Sequence, residues 1–378
     1  MVTLATDGRA GVVDLMGQPR DQGRVHGQQA AAAIRANLEV VRRGMQRLRR
    51  SGRSYDYAHV LARNEAFAER EAPELLEEIR GIAEGADVPY NDLLLLNLPL
   101  YMVGNLMPLD CTQILVGGPA TTDGSTLVAK TRDVAHDDLR QVVLHRRYPD
   151  GRELVEVDVA GSITWPGSAL NSAGVAIATS GVWSNRTQID LARDGWMLVN
   201  VHLLVRDSSS VDDLTERLAA QPRITGMNIV AADARGTHAA LEATADEVHR
   251  HDGPDGVVVR TNHYLTPSIQ YLGPSEAEHP SSHHRITLAL ERIQQQYGSL
   301  DADRLWALVA DHEGYPQLSI CRHSVGGEGS DTLYGSVANL SSGAFTAFLD
   351  HPCKRLADAS GRADQPAAVE TRVATPAR

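Results

Sequence analysis

The chain has 378 residues, 42% of them apolar and 22% charged, which is the composition of an ordinary globular protein with room for a sizeable core. Its net charge of −12 excludes the basic footprint that a nucleic-acid partner requires. Three cysteines, Cys111, Cys321 and Cys353, cannot build a disulfide framework in so long a chain.

The first residues lack the basic and apolar regions of a signal peptide, and no run reaches the roughly 18 apolar residues of a membrane span. The expected setting is therefore cytoplasmic and reducing, with no membrane partner and with thiols left free. The arginines at 42, 43, 47, 49 and 50 read as the last turns of a solvated helix, where cations oppose the helix dipole.

In chain order, Asp21 to about Arg50 is rich in Ala, Gln and Arg without proline and reads as one helix. A second spans about 55–72. A third opens at Pro73, carries Glu74, Glu77 and Glu78 in its early turns, and ends near Gly85. Asn91 and Asp92 read as the cap of an apolar run over 93–101. After that run the pattern changes abruptly to strands. The first starts at Thr112, and turns at Gly117–Pro119 and Asp123–Gly124 follow. Further strands are predicted over 126–131, 142–147, 154–159, 175–179, 229–232, 238–243 and 257–260. Helices are predicted over 194–205, 211–220, 284–297 and 301–311, and the tail after about Ala357 reads as mobile. Strands in one block with helices grouped around them indicate a single α+β domain, its sheets sandwiched between helical layers.

Cys111 stands at the junction of the helical leader and the β-rich body. Taken alone, a free cysteine is most often a small buried hydrophobe. Its position suggests more: a nucleophile that becomes a new N-terminus when the bond before it breaks.

The motifs around it point the same way. They are Gly17-Gln18-Pro19 with Gly23, His26 and Gly27; Glu78 to Gly85; Leu96-Asn97; Cys111-Thr112; and Lys130-Thr131-Arg132-Asp133. Then come Leu170 to Val175, Thr261-Asn262-His263-Tyr264, Ser281-Ser282-His283-His284-Arg285, Asp311 to Pro316, and Ser319 to His323. In order and spacing the chain resembles the acyl-CoA:6-aminopenicillanate acyltransferase family of N-terminal nucleophile (Ntn) hydrolases. It is more distantly similar to penicillin V acylases and bile salt hydrolases.

The resemblance implies an Ntn-type αββα sandwich with a helical N-terminal segment. Cleavage at Asp110–Cys111 would leave an α fragment, 1–110, and a β fragment, 111–378, that stay associated. Cys111 would be the nucleophile. Its α-amine, with an ordinary pKa of about 7.7–8.0, would take the thiol proton directly or through water. Asn262 would supply an oxyanion-hole donor, with a second donor near Ser180–Gly181, where the family often has an asparagine and this chain has none. Asp133 would hold the α-amine and thiol, and Arg285 would support the site electrostatically. Lys130 stands where the family usually has arginine, Thr131 where asparagine is common, and Asp110 where glycine or another small residue is frequent.

The implied activity is acyl transfer or hydrolysis at a small-molecule amide or acyl thioester through a Cys111 thioester, with no cofactor. The alternative is an unprocessed, non-catalytic relative acting as a binding or scaffold protein. No metal is expected. His312-Glu313 lacks the second histidine of a zinc-hydrolase helix, the nearby His263, His279, His283, His284 and His323 read as surface and hydrogen-bonding groups, and Cys321 and Cys353 read as packed thiols. Gly326 to Gly329 reads as a loop rather than a phosphate cradle, and no Gly-x-Ser-x-Gly motif is present.

Overall fold

The computed structural model describes residues 12–50, 56–98, 109–135, 139–182, 189–253, 255–358 and 369–373. Two sheets form its centre. Strands β1 (Val12–Met16), β4 (Gln141–Arg147), β5 (Glu153–Val159), β6 (Ser168–Asn171), β7 (Val175–Gly181), β8 (Met227–Asp233), β9 (His238–Ala243) and β10 (Val248–Asp252) make an eight-stranded sheet in that order. Strands β11 (Val257–Arg260), β2 (Leu109–Val116), β3 (Leu127–Ala135), β12 (Ser330–Asn339), β13 (Ala344–Phe348) and β14 (Val369–Arg372) make a six-stranded one. Neighbouring strands run antiparallel except β1 and β4, which are parallel.

The inner faces of the sheets share one core. Leu115 and Val128 from the six-stranded sheet meet Val143, Val155, Ala176, Ala178 and Val230 from the eight-stranded one. Because both faces of each sheet are covered, even charged residues of the central strands, such as Lys130, Asp133, Glu156 and Asp158, are fully buried. Outside the six-stranded sheet, α8 (Pro280–Gln295) and α9 (Ala302–Val309) pack Leu288, Trp306 and Leu308 onto Ile114 and Ala129. The other sheet is covered by α6 (Val201–Asp207) and α7 (Val211–Ala220) at one end. At its other end lie α1 (Pro19–Gln29), α2 (Ala31–Arg50), α3 (Tyr57–Glu71), α4 (Pro73–Ala86) and α5 (Tyr90–Asn97). These are the four layers, α, β, β, α, that the sequence led us to expect.

Several elements differ from the sequence reading. The long first helix is two helices that break at Ala30, whose φ of −107° and ψ of 14° leave the helical well. The alanine-rich composition runs through the break and does not mark it. Asn91 and Asp92 lie inside the first turn of α5, behind an N-cap at Pro89. The predicted helix over 194–205 begins only at Val201, because the backbone around Trp196 bridges to Arg223 instead. Six strands were not foreseen, among them β12, whose ten residues alternate no clear polarity. Residues 369–372 of the tail form β14 against β13, so that part of the tail is ordered; residues 359–368 and 374–378 lie outside the described residues, as do 99–101 of the predicted apolar run.

The N-terminal motif glycines explain how the leader is built. Gly23 and Gly27 of α1 face Gly81 and Gly85 of α4 so closely that a Cβ on any of them would strike the partner helix backbone. Glycine alone permits that approach. Further side chains, among them the motif residues Asn97, Glu78 and His26, join the leader to the β body. Asn97 accepts the Ile163 N–H at 2.9 Å and donates to Gly161 O at 2.9 Å. Asn37 bonds the backbone of Arg140 and Ala160 at 2.8–3.0 Å. Glu78 meets the fully buried Arg146 at 2.6 Å, and Arg146 also binds Gln22 at 3.1 Å and Glu156 at 2.6 Å. His26 accepts the Gly161 N–H at 3.1 Å. Burial, helped by the Arg146 charge, pushes it down to about 3, so it is the neutral acceptor this bond requires.

Candidate active site

Strand β2 starts earlier than expected, at Leu109, and therefore carries both Asp110 and Cys111. Register then decides what surrounds them. On β3, Arg132 lies opposite Cys111, Asp133 opposite Asp110, and Lys130 opposite Gln113. Because side chains alternate across a strand, Cys111, Gln113, Lys130 and Arg132 project between the sheets, while Asp110, Thr112 and Asp133 project towards α8 and α9.

Cys111 is 3% exposed. The buried Lys130 ammonium lies beside its thiol and donates to the Thr179 carbonyl. Burial pulls Lys130 down to about 8, the nearby Arg132 charge adds to the fall, and the sulfur opposes it. Lys130 is thus an amine that can be neutral at mildly alkaline pH. Arginine at this position could not be.

On β2's other side, β11 pairs Val259 with Ile114 and Arg260 with Gln113, which carries the following Thr261-Asn262 alongside Thr112 and Cys111. Asn262 accepts the Cys111 backbone N–H on Oδ1 at 2.9 Å and donates from Nδ2 to the Gly181 carbonyl at 3.0 Å. Near Ser180–Gly181, where backbone N–H groups were expected to act as a second oxyanion donor, Asn262 meets the Gly181 carbonyl, an acceptor. In the intact chain the oxygen end of this amide faces the cysteine nitrogen, which differs from an amide presenting its donor to a substrate.

Arg285 is fully buried rather than solvated on its helix. It donates to Cys111 O at 2.5 Å, Thr112 Oγ1 at 2.9 Å, Asn262 Oδ1 at 2.9 Å and Ser281 Oγ at 3.0 Å. The two serines before it have separate tasks. Ser281 orients Arg285, and Ser282 accepts the Asn262 backbone N–H at 2.8 Å.

Asp133 occupies a different place from the one the resemblance implies. Its carboxylate accepts from Thr332 Oγ1 at 2.6 Å on the face of β3 away from the thiol, and its second oxygen has no hydrogen-bond partner. Burial raises it to about 6, against the pull of Arg322 and Arg285. Beside it, Asp110 is paired with His279 at 2.7 Å and with Arg322. Burial alone would push Asp110 up, but the His279 hydrogen bond and the charges of Arg322, His279 and Arg285 hold it well below the usual carboxylate range. Arg322 was not singled out from the sequence, and His279 was read only as one of the surface and hydrogen-bonding histidines. Arg322 lay inside a quoted motif, Ser319 to His323, which was the available signal.

A second group gathers away from the thiol. His312, Cys321, His323 and Cys353 bring their nitrogens and sulfurs within 4.8 Å of one another, a convergence that sequence spacing did not reveal.

Fold and site define an αββα sandwich with a buried thiol whose own peptide N–H and C=O are held by an asparagine and an arginine, beside two buried carboxylates. The model of the acyl-coenzyme A:6-aminopenicillanic acid acyl-transferase family matches residues 120–354, and the chain belongs to that family. No curated protein matches it. Solved structures similar to it include a mutant conjugated bile acid hydrolase from Clostridium perfringens, 13% identical, covering 69% of this chain and 92% of that one with a TM-score of 0.45. A penicillin V acylase from Agrobacterium tumefaciens is 15% identical, covering 63% of this chain and 82% of that one with a TM-score of 0.44. No described helix is long and apolar enough to cross a membrane.

Proposed function

We propose that the protein is a self-cleaving cysteine acyltransferase or amidohydrolase that works through a thioester on Cys111. The observation that carries this reading is the treatment of the Asp110–Cys111 junction. The side chain before the bond is paired with His279 and Arg322, the N–H of the bond is held by Asn262, and the next carbonyl is held by Arg285. A merely structural cysteine needs no such set of partners. Family membership supports acyl chemistry in general.

In the first reaction the neutral Lys130 amine takes the thiol proton, and Cys111 Sγ attacks the Asp110 carbonyl carbon. The C–N bond breaks, the nitrogen gains a proton, and a thioester joins the two fragments. Water then hydrolyses it, leaving an Asp110 carboxyl group and a free Cys111 amine and thiol. The new amine stays beside Asn262 Oδ1. In turnover the amine, with an ordinary pKa of about 7.7–8.0, accepts the thiol proton. The thiolate takes an acyl group from a small-molecule amide or thioester, and water or an amine resolves the enzyme thioester.

Asn262 Nδ2 would leave Gly181 to donate to the developing oxyanion, the kind of contact whose loss costs on the order of 10²–10³ in turnover. After cleavage the fragments 1–110 and 111–378 would remain together through the β1–β4 pairing and the buried Arg146–Glu78 pair. No cofactor enters this scheme.

Intact mass spectrometry under denaturing conditions tests the reading. Two species that sum to the full chain plus one water, the larger beginning at Cys111, are expected. A single species of full mass with an unreactive Cys111 would overturn it and favour a non-catalytic binding relative.

A further inference from the structure

We infer that His312, Cys321, His323 and Cys353 form a structural zinc site, separate from the Cys111 chemistry. Three ligand atoms converge on one nitrogen. His323 Nε2 lies 3.1 Å from His312 Nε2, 3.6 Å from Cys321 Sγ and 3.5 Å from Cys353 Sγ. A ring nitrogen carries either one proton or one lone pair, so it can satisfy only one of these neighbours as a hydrogen bond. A cation at the centre satisfies all of them.

The edge lengths agree with that. Four ligands placed tetrahedrally at Zn–N of about 2.0–2.1 Å and Zn–S of about 2.3 Å stand about 3.3–3.8 Å apart, close to the three separations measured from His323. Two imidazoles and two thiols are a donor set that selects zinc, and four protein ligands close the coordination sphere, which marks a structural rather than a catalytic site.

The ligands are also held ready. Cys321 donates its backbone N–H to Asp311 O at 3.0 Å, and its carbonyl accepts from Ser319 Oγ at 2.7 Å. His323 stacks on His351 with ring centroids 4.1 Å apart and planes 7° from parallel. His351 is itself fixed by Asp350 at 2.8 Å and Asp331 at 3.1 Å. His312 follows α9, Cys353 sits in the first turn of α10 (Pro352–Asp358), and Cys321 and His323 lie on the loop between α9 and β12. One ion would therefore tie three segments together.

Arg322, between two of the ligands, pairs with Asp110. The ion would thus also fix the arginine that holds the residue before Cys111, a consequence that rests on the proposed function, whereas zinc binding does not.

The test uses the full chain without an affinity tag, exposed to zinc and dialysed against metal-free buffer. One zinc per chain is expected by elemental mass spectrometry. Cobalt should give tetrahedral visible bands and thiolate-to-cobalt charge transfer. Cys111→Ala should keep the metal and Cys353→Ser should lose it. The exposed His312→Ala should stay folded by circular dichroism yet bind zinc at least about tenfold more weakly. Zinc-free protein with no thiolate bands on cobalt addition, zinc retained undiminished in both ligand variants, or a Cys321–Cys353 disulfide in metal-exposed protein would overturn the site. None of these readouts depends on whether the Asp110–Cys111 bond is cut.

Discussion

The backbone N–H of Cys111 donates to the side-chain oxygen of Asn262 at 2.9 Å, across 151 residues of sequence. The same oxygen accepts from Arg285 at 2.9 Å, so one amide couples the nitrogen of the Asp110–Cys111 bond to a buried cation. That arrangement makes the two ends of the Asn262 amide separable by substitution. Asn262→Asp keeps the acceptor and loses the Nδ2 donor, so self-cleavage should persist while turnover falls on the order of 10²–10³. Asn262→Ala should impair both. Equal loss of cleavage and turnover in the two variants, followed by mass spectrometry and acyl-release assays, would argue against a division of roles.

Cys111→Ala should leave a full-length chain with no turnover, because no other described thiol lies beside Lys130. The check is the same denaturing mass measurement, and continued cleavage at that bond would remove Cys111 from the chemistry.

On the proposed scheme, Lys130 gives processing a pH dependence. Its ammonium form prevails below about 8, so the cleavage rate of purified precursor should rise as pH passes through about 8 and then level off. Lys130→Arg cannot lose its proton and should cleave slowly without that rise. For stability the sign is set by proton uptake. The unfolded chain holds the Lys130 proton up to about 10.5 and the folded chain only to about 8, so stability should increase with pH across that window.

Asp133 works in the opposite sense. The folded state keeps its proton to about 6 and the unfolded state only to 3.8, so ionising it costs stability as pH rises through that range. Asp133→Asn should raise the stability of the intact chain at neutral pH, by at most about 3 kcal/mol, and the gain should vanish below about pH 4. Denaturant titrations at both pH values measure this.

Arg285→Lys should fail to rescue what Arg285→Ala loses, since four acceptors are arranged for a planar fork. Leaving these buried groups unmatched should cost about 3–5 kcal/mol, read from the urea midpoint.

Gly23→Ala places a methyl group against the Glu78 carbonyl and should destabilise the chain by about 1–3 kcal/mol, whereas alanine at the open Gly236, where φ is +89°, should cost only local backbone strain. Differential scanning calorimetry of the two variants distinguishes packing from conformational freedom.

The sequence by itself determined the layers and singled out Cys111 as the residue on which the proposed chemistry rests. Helical periodicity before Cys111 and strand patterning after it are local properties, so they survive in a linear reading, and eight strands and most helices fell close to their predicted places. The order and spacing of the motifs that contain Cys111, Asp133, Asn262 and Arg285 also carried the family resemblance.

What the tertiary structure decided was direction and company. Whether Asp133 faces the thiol depends on strand alternation and register, and the pairing of Asp133 with Asp110 rather than with Cys111 puts it on the other face. His279 and Arg322 meet Asp110 from 169 and 212 residues away, and no local pattern encodes such a meeting. The four histidine and cysteine ligand atoms likewise converge only because α9, the loop before β12 and α10 pack side by side. Spacing along the chain gives residue types; burial and register decide which of them can share a proton, a charge or an ion.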